Sequence, residues 1–362
     1  MAGEVRTRYA ESLSEVYQHI SSVGQETRKT DDTMLWFRGN AKASYTLEPS
    51  IFRKVDYQYN DNQTYSDNHL REEYRFQSFM SRNYDNVTYN TPQTVIEWQE
   101  VMQHFFTKTR LMDWSESLIV ALEFALEAFI TPVKDKEIQE QRRMAQPVVW
   151  VLQPAELNKS VYKVFMEKTE LIRKALGERE EALAVRIQKE LKKKEESGIY
   201  YNLRDEREKN INAIIGLSSL EMIRNAFRGR ELEALRTFEM NPFFYLLLRY
   251  YSDGIPVGMG QIPPLAIIHP YHSQRIKSQK GVFTIFPYYI PDSYMNKLYK
   301  VNGEYPSIGM EYMELCRPYL YRIQITNPQR VAKELMLTGV RRGNIYPDIQ
   351  IVSQDMENVV NP

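Results

Sequence analysis

The chain has 362 residues, enough to bury the core of one large domain or two ordinary ones. Lysine plus arginine equals aspartate plus glutamate at 47 each, which argues against a protein built to coat nucleic acid, because that affinity rests on many uncompensated phosphate contacts. Cys316 is the only cysteine, so an internal disulfide and a cysteine-rich zinc site are excluded and a reducing compartment is the natural setting.

No run of about 18 uncharged apolar residues is present. The opening Met1-Ala2-Gly3-Glu4-Val5-Arg6 lacks the apolar stretch of a secretory signal. A cytoplasmic protein without membrane association is therefore expected. Leu13, Val16, Ile20 and Val23 then fall at helical spacing and predict an amphipathic helix over 9–23. Met34-Leu35-Trp36-Phe37-Arg38-Gly39 reads as a short buried strand ended by glycine. A polar, irregular link over 40–53 follows, and helical patterns occupy 68–82 and 93–106. Thr109 to Trp114 reads as a compact turn, with Ser115 as N-cap of a helix that carries Leu118, Ala121, Leu122 and Ala125 on one face.

Pro147 to Leu152, rich in valine, predicts a strand. Residues 163–196 differ in kind, because 18 of the 34 are charged while Phe165, Ile172, Leu176, Leu183, Ile187 and Leu191 keep helical spacing. That combination predicts a solvated helix or helical hairpin. Short helices are expected at 218–227 and 230–238. Leu265 to His269, Gly281 to Phe286 and Tyr319 to Ile325 predict further strands, followed by a helix at 328–338 and a turn with Asn344 and Pro347. Strands and helices mix without a steady βαβ rhythm. The expected fold class is therefore α+β: one mixed-sheet domain over 1–362 with a charged helical insertion at 155–240.

The common catalytic motifs are missing. There is no Gly-x-x-x-x-Gly-Lys loop, no Gly-x-Gly-x-x-Gly, no His-Glu-x-x-His and no Gly-x-Ser-x-Gly. Of the five histidines only His269 and His272 are close in sequence, which is too little to indicate a metal site, and no metal is expected. Four blocks remain. Trp36-Phe37-Arg38-Gly39 with Tyr45-x-Leu47-x-Pro49-Ser50 is the first, and Gln103-His104, Thr109-Arg110-Leu111-Met112-Asp113-Trp114-Ser115 and Ala121-Leu122-x-Phe124-Ala125 make up the second. Arg275-Ile276-x-x-Gln279-x-Gly281-x-Phe283 is the third, and Leu335-x-x-x-Gly339 with Ile345-Tyr346-Pro347-Asp348 the fourth. In this order the blocks resemble the FRG domain family. Phe106 and Lys108 depart from it, standing where the family pattern has glycine and proline, and the charged insertion lies outside the pattern.

An arginine ending an otherwise apolar strand is costly unless it meets an anion or a carboxylate, and its planar fork suits a diphosphate. Phe37-Arg38-Gly39 and Ser115-x-Ser117-x-x-x-Ala121-x-x-Phe124-Ala125 are also similar to the first two motifs of the arginine-serine-glutamate ADP-ribosyltransferases. That resemblance implies an NAD site in which Arg38 grips phosphate, Ser115 positions a ribose and Gln279 occupies the place of the polarising carboxylate. Gly39, Arg110 and Ser117 would complete the nucleotide contacts. No Glu-x-Glu or Gln-x-Glu lies near Gln279, so either the glutamine suffices, another carboxylate serves, or the site binds nucleotide without transfer. Each residue also has an ordinary structural explanation: Arg110 and Asp113 could fix a turn, Ser115 could cap a helix, and Trp36 and Trp114 could be core. The resemblance implies an NAD-dependent transferase or NAD-cleaving effector of bacterial stress or phage defence. Two other classes stay open: a non-enzymatic module meeting a protein partner through 163–196, and a nucleic-acid-associated protein.

Overall fold

Val148-Val149-Trp150-Val151-Leu152 contains no polar side chain, and such a run can be satisfied only where both faces of a strand are covered. A computed structural model, which describes residues 5–26, 34–53, 65–83, 95–130, 144–161, 264–268, 273–286, 309–347, 349 and 351–353, places this strand inside a sheet with every residue buried. Its strands are β1 (Arg6–Ala10), β2 (Trp36–Asn40), β3 (Leu111–Ser115), β4 (Val148–Leu152), β5 (Leu265–Ile267), β6 (Gly281–Ile285) and β7 (Leu320–Ile325). The helices are α1 (Leu13–Glu26), α2 (Tyr65–Asn83), α3 (Val95–His104), α4 (Leu118–Ile130), α5 (Gln274–Ser278), α6 (Pro328–Leu337) and α7 (Arg342–Ile345).

The seven strands form one mixed sheet in the order β1-β7-β4-β2-β3-β6-β5. β1 pairs parallel with β7 and every other neighbour is antiparallel. The fold is α+β, as the irregular alternation of elements predicts. Because successive strand residues face opposite ways, the sheet is covered twice. Trp36, Trp114, Trp150 and Leu320 meet Leu47, Leu157 and Met310 on one face. Phe37, Val149, Val151 and Ile323 meet α1, α4 and α6 through Val16, Leu122 and Val331 on the other. Trp36 and Trp114 are thus core residues.

Several expectations need correction. Thr109–Trp114 is not a turn, since Leu111 to Ser115 form β3 in register with β6 over five residue pairs. The helix expected at 9–23 begins later, at Leu13, because Arg6 to Ala10 form the edge strand β1. Its sequence, Arg-Thr-Arg-Tyr-Ala, buries only Ala10, so it carries no apolar signal of a strand. The segment around Asn344 is the short helix α7, and α5 has no counterpart in the sequence reading. The expected insertion starts inside the core: residues 154–161 are helical and bury Leu157 and Val161. The helices predicted over 163–196, 218–227 and 230–238 lie outside the described residues. No described helix is long and apolar enough to cross a membrane.

One junction in the sheet is weak. β2 meets β4 over five register pairs, and β3 meets β6 over five, but β2 and β3 share only Phe37 with Ser115. The two halves of the sheet therefore part immediately beyond that pair, beside Arg38.

Candidate functional site: a cavity at the parting of the sheet

Beside the parting, α4 packs hard on β2. A methyl group at Gly39 would lie 1.8 Å from the Ala121 main-chain oxygen and 2.7 Å from the Ala125 nitrogen. Only glycine lets the helix approach so closely, and this packing fixes the strand that presents Arg38. The cavity measures about 370 Å³ and is walled by β2, β3, α4, the end of α3 and the α5–β6 turn. Arg38, Gly39, Ser115 and Gln279 all line it. Arg110 and Ser117 do not line it. Arg110 is buried and donates to the Phe286 main-chain oxygen at 2.7 Å, while the Phe286 amide donates back to the Arg110 oxygen. That exchange ties β3 to the end of β6, a structural task.

The Arg38 side chain is 18% exposed. Its Nη1 donates to the Asp113 main-chain oxygen and sits 3.9 Å from Asp113 Oδ2. Burial lowers the Arg38 pKa below the usual arginine value, with Asp113 opposing and Arg53 reinforcing the shift. Arginine stays charged even so. The Nε of Arg38 is buried with no hydrogen-bond partner among the described residues, an expensive arrangement for a charged donor. Asp113 is engaged by Gln103, whose Nε2 donates to Oδ1 at 2.7 Å, and the Thr109 hydroxyl donates to Gln103 Oε1. Asp113 is therefore held by Arg38 and Gln103 rather than by Arg110.

Ser115 ends β3 two residues before α4. It does not cap that helix: Ser117 directly precedes α4, and its main-chain oxygen accepts from the Ala121 amide. The Ser115 hydroxyl instead donates to the Gln279 main-chain oxygen at 2.7 Å and accepts from the Ser117 amide at 2.9 Å. Gln279 is the C-cap of α5, and the following Lys280 takes a φ of 46° to turn the chain into β6. This turn is what brings Gln279 to the cavity. Its Nε2 is a second buried donor with no partner among the described residues.

Residues to which the sequence motifs assign no site role also line the cavity, among them Arg53, Glu100, Phe106 and Arg275. Glu100 lies on α3 next to the buried Trp98, Gln99 and Met102. Burial, and then Glu97, push its carboxyl pKa well above the ordinary value. The available signal was an acid on the apolar face of a predicted helix. The cavity thus combines three guanidinium groups, an exposed carboxylate on Asp113 and a carboxyl on Glu100 that resists ionisation. Lys108, close by, has its pKa lowered by burial and then by Arg75 and Arg53, which marks a locally positive field in a chain of zero net charge. Among the described residues no group of histidine, cysteine, aspartate or glutamate could hold a metal ion. Positive charge, buried unpartnered donors and one proton-holding carboxyl together suit an acceptor-rich anion of modest size.

The FRG domain family model matches residues 33–132, a span that contains β2, α3, β3 and α4. No curated protein matches the chain, and no solved structure does.

Proposed function

This chain carries an FRG domain, and from that premise we propose that its cavity binds NAD or a closely similar nucleotide and cleaves or transfers the ADP-ribosyl group. One observation carries the reading. Arg38 Nε and Gln279 Nε2 are buried donors without partners among the described residues, and both residues line one cavity beside Arg53 and Arg275. A phosphorylated ribose offers acceptor oxygens that suit such a cluster of donors.

In this reading the Arg38 fork holds phosphate oxygens, and Gln279 Nε2 donates to a ribose hydroxyl. Ser115 is a positioning residue, since its hydroxyl is engaged by the Gln279 oxygen and fixes the turn that presents the glutamine. In its ionised form, reached only above the ordinary carboxylate range, Glu100 supplies the carboxylate that the Gln279 position lacks. The bond from ribose carbon to nicotinamide nitrogen breaks, and its electron pair leaves with neutral nicotinamide. The oxygen of water or of an acceptor hydroxyl bonds to that carbon, and its proton passes to the Glu100 carboxylate. A bacterial stress or anti-phage effector is the setting that such chemistry suits by analogy.

Calorimetric titration with NAD, run beside thermal unfolding on wild type and Arg38→Lys, tests the reading. Lysine keeps the charge but not the fork, so binding should weaken by at least about tenfold while the melting temperature stays nearly constant. A wild type that binds no NAD, or a variant that loses stability while binding equally, removes the main support.

A further inference from the structure

Helix α3 ends in a tight cap. The Phe106 amide donates to the Gln103 oxygen at 3.0 Å and the Thr107 amide to the Met102 oxygen at 2.8 Å, the paired bonds of a Schellman motif. Phe106 occupies the left-handed position of that motif, with a φ of 60°. Glycine is the usual residue there because a Cβ is penalised in this conformation. Phe106 does not recover the penalty by packing, for it is 84% exposed. A strained, solvated phenylalanine is therefore explained neither by the cap nor by the core, and strain of this kind clusters where ligands bind.

Its surroundings show what it can do. Phe106 lines the cavity, and the Arg275 guanidinium sits 5.8 Å from its ring centroid. Arg275 in turn lies 4.9 Å from the Tyr346 ring, which packs edge-on against Phe124, a further lining residue, at 5.9 Å. The result is a layer of flat groups at the rim, braced from behind, with most of the Phe106 ring open. Aromatic and guanidinium faces stack on nucleobases with little regard to base identity.

We propose that Phe106, backed by Arg275, is a stacking platform for the purine base of the bound nucleotide. The inference rests on the nucleotide reading of the cavity but not on any reaction there.

ADP is the probe, since it carries a purine and a diphosphate but no nicotinamide. Full-length wild type, Phe106→Gly and Phe106→Trp are titrated with ADP and melted thermally. The glycine variant should melt at the same temperature or a few degrees higher, because the cap is relieved, yet bind ADP roughly five- to a hundredfold more weakly. The tryptophan variant should bind ADP at least as tightly as wild type. Equal ADP binding by wild type and Phe106→Gly, or no ADP binding by wild type, overturns the platform. Nicotinamide release from NAD reads the reaction separately: wild type that binds ADP through Phe106 but releases none upholds the platform and overturns the catalytic reading alone.

Discussion

The Ser115 hydroxyl donates to the main-chain oxygen of Gln279 across 2.7 Å, joining residues 164 positions apart in the chain. The same oxygen of Ser115 accepts from the Ser117 amide. One side chain therefore fixes both the exit from β3 and the turn that carries Gln279. Ser115→Ala should cost about 1–2 kcal/mol in denaturant unfolding, because two partners lose their hydrogen bond in a partly buried place. A variant as stable as wild type would show that water replaces the hydroxyl without loss.

Gly39→Ala tests the packing of α4 on β2 in the cavity wall. The added methyl would collide with main-chain atoms of Ala121 and Ala125, which cannot swing aside as a flexible side chain can. The expected loss is about 3 kcal/mol or more, visible as a greatly lowered melting temperature or insoluble protein. Retention of wild-type stability would mean that α4 slides easily on β2.

Glu311, which does not line the cavity, sets a pH dependence of stability. Its carboxyl accepts the Leu47 amide through both oxygens at 3.0 Å. Burial outweighs these bonds and pushes its pKa from 4.5 to about 7. Between those two values the folded chain holds a proton that the unfolded chain has released, so stability falls as pH rises through this window. Relative to Glu311→Gln, wild type should lose roughly 2–3 kcal/mol between pH 4.5 and 7.5. Parallel stability curves for the two proteins would contradict the assignment.

Glu100 should leave its mark on the rate. Burial and Glu97 hold its proton to a pH well above the ordinary carboxylate range, and only the ionised form can accept a proton from the nucleophile. Nicotinamide release should therefore rise along a basic limb displaced upward from that range. Glu100→Gln should remove the limb and slow release by at least about a hundredfold. An unchanged profile in the variant would assign the base to another group.

How much of this was legible from sequence follows from the range of the interactions. β4 and β6 announce themselves as apolar runs and β7 as an alternation of apolar residues with Arg322 and Gln324, while in β2 Arg38 stands out as the charge that breaks an apolar start. β3 reads as a turn in the sequence because Asp113 interrupts it and polar Thr109-Arg110 precede it. Its strand identity comes from pairing with β6, about 170 residues on, as in Leu111 with Ile285. β1 is polar and belongs to the sheet only through β7. The same limit applies to the site. Arg38, Ser115 and Gln279 could be named from their blocks, whereas the single register pair between β2 and β3 and the arrival of Glu100, Arg53 and Arg275 at one cavity are tertiary events. Phe106 is marked only by its departure from the glycine of the family pattern; its left-handed φ contradicts its own propensity, and its place at the cavity is again a tertiary matter.

The central claim is that this cavity handles NAD. Incubating the purified full-length chain with NAD and following free nicotinamide against time, with Arg38→Lys and Glu100→Gln alongside, tests it most directly. Wild type should release nicotinamide steadily, and release should fall sharply in both variants while both remain folded. Release that is equal in all three proteins, or absent from wild type at NAD concentrations well above those in a cell, would contradict it.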